Sequence, residues 1–207
     1  MCMKIKLLTE FILIFIILPI LLLSHTLPKY MIIPSLWIVA IYAYFLLSSH
    51  KQAMFSNRFE LKELHYILKR FVLVAIIIFI FTLLLYPERL FDLVLHDPYI
   101  YLAVIIFYPL FSVIPQELVF RQFFFYRYSL DFSTFTIIWT NAIIFGFAHV
   151  AFGNILAVIF TILGGLMFAS TYKKTNCLIL VIIEHSLYGV LIFTVGLGEF
   201  FYHNNGF

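Results

Sequence analysis

Long apolar runs dominate this chain, and runs of that length leave a polypeptide few ways to fold. Crossing the hydrocarbon of a bilayer takes about 20 mostly apolar residues, and the backbone must pair its own polar groups there, which a helix does within itself. Such runs cover about Leu7 to Leu23, Ile32 to Ser48, Phe71 to Tyr86, Tyr99 onward past Pro115, Thr134 to Val150, Ile155 to Tyr172 and Cys177 to Val195. With 64% of 207 residues hydrophobic and 11% charged, little sequence remains for a water-soluble unit. The expected fold is therefore all-α: a polytopic transmembrane helical bundle of about seven spans. No internal repeat or low-complexity linker divides the chain, so residues 1–207 are expected to form a single transmembrane domain.

The first run follows Lys4 and Lys6 in the manner of a signal peptide. It lacks a small-residue cleavage site, and His25, Pro28 and Lys29 lead straight into the next run, so it reads as a retained span. Between the second and third runs, Phe55, Phe59, Leu61, Leu64, Ile67 and Leu68 recur at near-helical spacing among Lys51, Arg58, Lys62, Lys69 and Arg70. That pattern predicts a basic amphipathic interfacial helix over His50 to Arg70. Arg127 with Asp131, and Lys173 with Lys174, mark further turns, and the chain ends polar at His203 to Gly206.

Basic residues gather on one side of the spans: Lys4 and Lys6, the His50 to Arg70 segment, Arg127, and Lys173 with Lys174. The other side has little beyond Lys29 and Arg89. Short basic loops stay in the cytoplasm, so the amino terminus is expected inside and, with seven spans, the carboxyl terminus outside. Short loops without a large soluble part fit a bacterial plasma membrane. No long basic run with interleaved aromatics is present, which excludes a nucleic-acid interface. Cys2 and Cys177 lie far apart and outside any CxxC setting, so they indicate neither a disulfide framework nor a thiolate metal site.

An ionisable group inside hydrocarbon costs several kcal/mol, so each one is either paired or functional. Three places in the carboxyl-terminal half break the apolar pattern: Gln116 and Glu117 with Arg121, then His149, then Glu184 with His185. Glu117 and Arg121 are four apart on a helix and within ion-pairing reach. Each taken singly has a structural reading, as a buried ion pair or a satisfied core histidine. Together, two imidazoles and a carboxylate on separate helices suffice to activate a water or to bind a metal. At about 1.5 Å per residue, His185 and Glu117 come out roughly 12 Å from the cytoplasmic ends of their helices, whereas His149 comes out about 20 Å in or deeper. Asn141, two turns before His149, reads as a packing residue or a cavity hydrogen-bonder. Tyr188 reads as a further donor or an interfacial aromatic, and Glu10 as a snorkelling or paired carboxylate.

Three short motifs resemble those of the CAAX protease and bacteriocin-processing (Abi) family of intramembrane proteases. Gln116-Glu117-Leu118-Val119-Phe120-Arg121 stands where that family has Glu-Glu-x-x-x-Arg. Phe145-Gly146-Phe147-Ala148-His149 matches its Phe-x-x-x-His, and His185-Ser186-Leu187-Tyr188-Gly189 stands where it has His followed four residues later by Asn or Asp. The resemblance covers about residues 99–195, the expected protease-like core. It implies an endopeptidase that hydrolyses a peptide bond of a membrane-associated peptide or protein, with the bilayer as its other partner. Oligomeric state is left open.

Catalytic residues implied by the resemblance are Glu117, His149, His185, Gln116 and Arg121. His149, His185 and Glu117 are the candidate ligands of one divalent metal such as zinc, a glutamate-based site without metal being the alternative. Two departures bear on the chemistry. Gln116 replaces the glutamate usually assigned as base, and an amide accepts no proton at neutral pH. Gly189 replaces the Asn or Asp. Either Glu117 takes over as base, with His149 and His185 positioning the water and Gln116 donating to the substrate carbonyl, or the chain is a non-catalytic relative serving as membrane scaffold or immunity protein. Glu184 is a candidate substitute carboxylate, although adjacent helical residues point about 100° apart. Peptide is expected to enter from the cytoplasmic side or laterally from the bilayer. A proton-coupled transporter would also bury Glu, Arg and His, but the chain lacks inverted repeats and matching broken helices.

Overall fold

A computed structural model describes residues 2–50, 59–129 and 133–201, and among these every regular element is helical. Six helices are long and apolar enough to cross a membrane: Ile5–Leu23, Lys29–Ser49, Leu61–Leu85, Pro98–Tyr128, Thr134–Phe152 and Ile155–Thr175. A shorter apolar helix, Leu178–Thr194, follows them. They are called the first to seventh spans below, and together they make the polytopic helical bundle expected from the apolar runs.

Residues 51–58, in the middle of the expected interfacial helix, lie outside the described residues, as do Asp131 and the His203 to Gly206 tail. The described part of that segment, Leu61 to Arg70, is the opening of the third span, continuous through Leu85. No Gly or Pro interrupts residues 61–85, so the helix has no reason to stop at the headgroup level. Ile67 is buried there with Cys177 and Leu180, Lys62 stays at the surface with Glu60, and Arg70 turns inward.

Prolines shape the spans that carry the site. Each removes the N–H that an α-helix would bond to the carbonyl four residues back, and its ring crowds that carbonyl. The first span answers Pro19 with a π-helical turn at Leu13–Ile17. In the fourth span, two π-helical turns, Pro109–Val113 and Leu118–Phe123, flank the short α-helical turn Ile114–Glu117. An N–H at position 115 would bond the carbonyl of Phe111; with Pro115 there, that carbonyl accepts the indole N–H of Trp37 from the second span, at 3.0 Å. The buried Asn141 amide likewise crosses to the Phe120 carbonyl at 2.5 Å, within the second widened turn, so Asn141 is an interhelical tie.

The fifth and sixth spans form a hairpin. Ser133 opens the fifth by accepting the Thr136 N–H. Gly153, at φ +65°, turns the chain, and the Asn154 side chain caps the sixth through the Leu156 and Ala157 N–H groups. A Cβ on Gly165 would stand 3.0 Å from the Ala142 Cα, so the two helices touch backbone to backbone. Aromatic rings fill the middle of the bundle, with Phe15, Phe123, Phe124 and Phe145 all about fully buried. Outward faces are apolar too: Leu73, Leu84, Leu102 and Phe107 are exposed, which suits lipid and not water.

Candidate active site

Most of the buried polar side chains fall in the fourth to seventh spans, and Arg121, Glu117, His185 and His149 converge there. Glu117 ends the short α-helical turn between the two widened ones, and Arg121 lies within the second, four residues on. Both are completely shielded, and the Arg121 Nε stands 3.2 Å from a Glu117 carboxylate oxygen. The guanidinium also lies over the rings of Phe145, at 4.5 Å, and Phe168, at 5.5 Å. The predicted ion pair therefore forms.

His185, on the seventh span, donates its Nδ1 proton to the other Glu117 oxygen at 2.7 Å. A carboxylate only accepts, so the proton sits on Nδ1. The Nε2 atom then accepts from the Tyr108 hydroxyl at 3.1 Å, and the ring is stacked on Phe168 with centroids 4.7 Å apart. The sequence gives no sign of this role for Tyr108, because an aromatic in an apolar run carries no signal of its own.

His149 closes the fifth span. Its Nδ1 lies 2.7 Å from the Phe145 carbonyl oxygen, which again can only accept, so Nδ1 carries the proton and Nε2 the open lone pair. The Phe145 ring touches both imidazoles, with centroids 4.7 Å from His149 and 5.6 Å from His185. The histidines thus converge despite the depth difference expected from residue counts. Those counts measure depth only for straight helices starting level, whereas the fourth span is widened twice and the seventh is short.

A cleft of about 100 Å³ reaches this cluster from one side. Its polar lining is Ser35, Ser112, Gln116 and His149, and its apolar wall comes mainly from Ile14 to Leu22 of the first span and Ile32 to Val39 of the second. Gln116 donates to the Ser112 hydroxyl at 2.7 Å, and its side-chain oxygen is buried without a partner. Glu117 is not part of the lining; it lies behind, with Arg121 and His185. Gln116 and His149 are the polar residues of the motif set that face the cleft.

Glu184 points elsewhere. It is buried against Arg70 of the third span and accepts from the Thr171 hydroxyl at 2.7 Å. The expectation of Glu184 as a substitute site carboxylate is therefore corrected: consecutive helical residues diverge, and a cation on another helix has claimed it. Tyr188 packs against Phe71 and Phe168.

Of the three residues expected to share a metal, Glu117 and His185 are engaged with each other, while His149 is bonded apart from them to the Phe145 carbonyl. Both nitrogens of His185 and both oxygens of Glu117 have partners, and among the described residues no three His, Cys, Asp or Glu side chains form a ligand cluster. This donor set does not fit a three-ligand zinc site.

Comparison with known protein families matches residues 98–191 to the family described as type II CAAX prenyl endopeptidase Rce1-like. This stretch is Rce1-like. It spans the fourth, fifth and sixth helices and most of the seventh, and so contains all three motifs and every residue of the buried cluster named above except Arg70. The match agrees with the resemblance read from the motifs, and the membrane-length helices mark an integral membrane protein. Neither the curated proteins nor the solved structures yield a match.

Proposed function

We propose that this protein is an intramembrane endopeptidase that hydrolyses a peptide bond of a membrane-associated peptide or protein in a bacterial plasma membrane. The observation that carries the reading is the Rce1-like cluster itself: a neutral imidazole with its Nε2 lone pair open, beside a side-chain amide, on a cleft within the bundle. In this mechanism His149 Nε2 takes a proton from water as its oxygen attacks the scissile carbonyl carbon. The same proton then passes to the leaving amine nitrogen as the carbon–nitrogen bond breaks. The Gln116 amide donates to the carbonyl oxygen as it becomes an oxyanion, and the Arg121 charge behind the cleft favours that anion. Glu117 and His185 hold each other and Arg121 in register. The base role expected for Glu117 passes to His149 because Glu117 lies behind the cleft, engaged by Arg121 and His185.

With the amino terminus cytoplasmic, a cleft near the turn between the first two spans lies in the outer half of the membrane. Substrate then enters laterally between those spans or from the outer face, and the cytoplasmic route expected from the motifs is not the one we propose. The test is cleavage of a quenched-fluorescent membrane-peptide library by purified protein in detergent, comparing wild type with His149→Ala. Cleavage that disappears in the variant supports the reading; absence of cleavage by folded wild-type protein overturns it.

A further inference from the structure

The third motif ends in Gly189, where the resembled pattern has Asn or Asp, and the structure shows what occupies the vacated space. A Cβ built on Gly189 would overlap the ring carbons and the hydroxyl oxygen of Tyr108. That hydroxyl lies 3.1 Å from His185 Nε2. The phenol of the fourth span therefore reaches into the space beside residue 189 and presents a hydroxyl to the imidazole one helical turn earlier.

We propose that Tyr108 is a positioning residue that replaces the missing Asn or Asp side chain, and that Gly189 is retained as its seat. Neither residue does this alone. Any side chain at 189 would expel the ring, and without the ring His185 Nε2 would be bare in an apolar setting, because Phe168 stacks on one face of the imidazole and Phe145 meets it edge-on. Two features set the aim of the phenol. Phe193, one turn beyond Gly189, packs against its ring with centroids 5.7 Å apart. The fourth span widens immediately after it, at Pro109–Val113.

The chemical consequence concerns the free nitrogen of His185. Glu117 holds the proton on Nδ1, and a hydroxyl donating to Nε2 satisfies the remaining lone pair, so the Tyr108, His185 and Glu117 groups form one directed chain of hydrogen bonds. A phenylalanine at 108 would fill the same space and leave Nε2 without its donor.

The role in hydrolysis rests on the proposed peptidase reading, but the hydrogen bond and the packing do not, so the experiment reads all three. Nitrogen NMR of isotope-labelled histidine in detergent, with His185 assigned through His185→Gln, should show Nδ1 protonated and Nε2 as a hydrogen-bonded acceptor in wild type. In Tyr108→Phe the His185 Nε2 signal should move to that of an acceptor without a donor, and kcat should fall about tenfold to a hundredfold with KM little changed. Gly189→Asn should lower the thermal midpoint when Tyr108 is present. Combined with Tyr108→Ala it should regain the midpoint and the hydrogen-bonded Nε2 signal, since an amide then takes the place of the phenol. A His185 signal indifferent to Tyr108→Phe, or a Gly189→Asn variant as stable as wild type, would overturn the proposal. A signal that responds in a protein cleaving no peptide would sustain the positioning role and defeat the peptidase reading alone.

Discussion

At the scale of single residues, the division between the cleft and the layer behind it decides what each substitution should do. His149 carries the open acceptor, so His149→Ala should lower kcat by about 10²-fold to 10⁴-fold, the usual worth of a general base. Gln116→Glu puts a carboxylate on the cleft beside His149 and should raise kcat, read from the same peptide assay. Glu117→Gln separates the two candidate bases. With His149 as base, the weakened variant still loses rate on acidification, because the group that titrates is intact. A pH-independent residual rate in Glu117→Gln would return the base role to Glu117. Chelators should leave cleavage unchanged, since the Glu117 and His185 donor atoms are already occupied by Arg121 and Tyr108.

At the scale of elements, the seventh span is held in place by a buried ion pair rather than by shape alone. Arg70 and Thr171 bind Glu184 from the third and sixth spans, and Glu184 is the neighbour of His185. Removing one partner of a buried pair leaves an uncompensated charge, so Glu184→Ala should cost about 3–5 kcal/mol of stability in detergent unfolding. Arg70→Met with Glu184→Met should recover most of that loss, because the desolvation penalty leaves together with the attraction. The fourth span shows the same dependence on neighbours. Its proline and widened turns free carbonyls that Trp37 and Asn141 supply with donors, so Trp37→Phe should cost about 1 kcal/mol.

At the scale of the whole molecule, the first two spans complete the cleft although they lie outside the Rce1-like stretch. Glu10 fastens the first span to the end of the fourth: Arg127 donates to it at 2.8 and 3.1 Å, and the hydroxyls of Tyr42 and Tyr128 each donate at 2.6 Å. Glu10→Ala should loosen that wall and raise KM more than it lowers kcat. Orientation is testable in the same frame. On a background without Cys2 and Cys177, a membrane-impermeant thiol reagent added to intact cells should label Thr26→Cys and spare Lys173→Cys. The opposite pattern would place the cleft toward the cytoplasm.

Much of this molecule follows from its sequence through one physical fact, the cost of unpaired polar groups in hydrocarbon. Apolar runs of bilayer length specify helices, and the rarity of buried charge makes Glu117, Arg121, His149 and His185 conspicuous. The four-residue spacing of Glu117 and Arg121 specifies their ion pair, because helical geometry is local. What hydropathy leaves unspecified is which way each side chain faces once helices widen, tilt and cross. Only the tertiary structure turns Glu117 behind the cleft and Gln116 toward it, pairs Glu184 with Arg70 and Glu10 with Arg127, and carries Tyr108 across to His185 through the gap at Gly189. Those pairings join residues 77 to 117 positions apart, and they depend on contact between helix surfaces rather than on any periodicity within one helix.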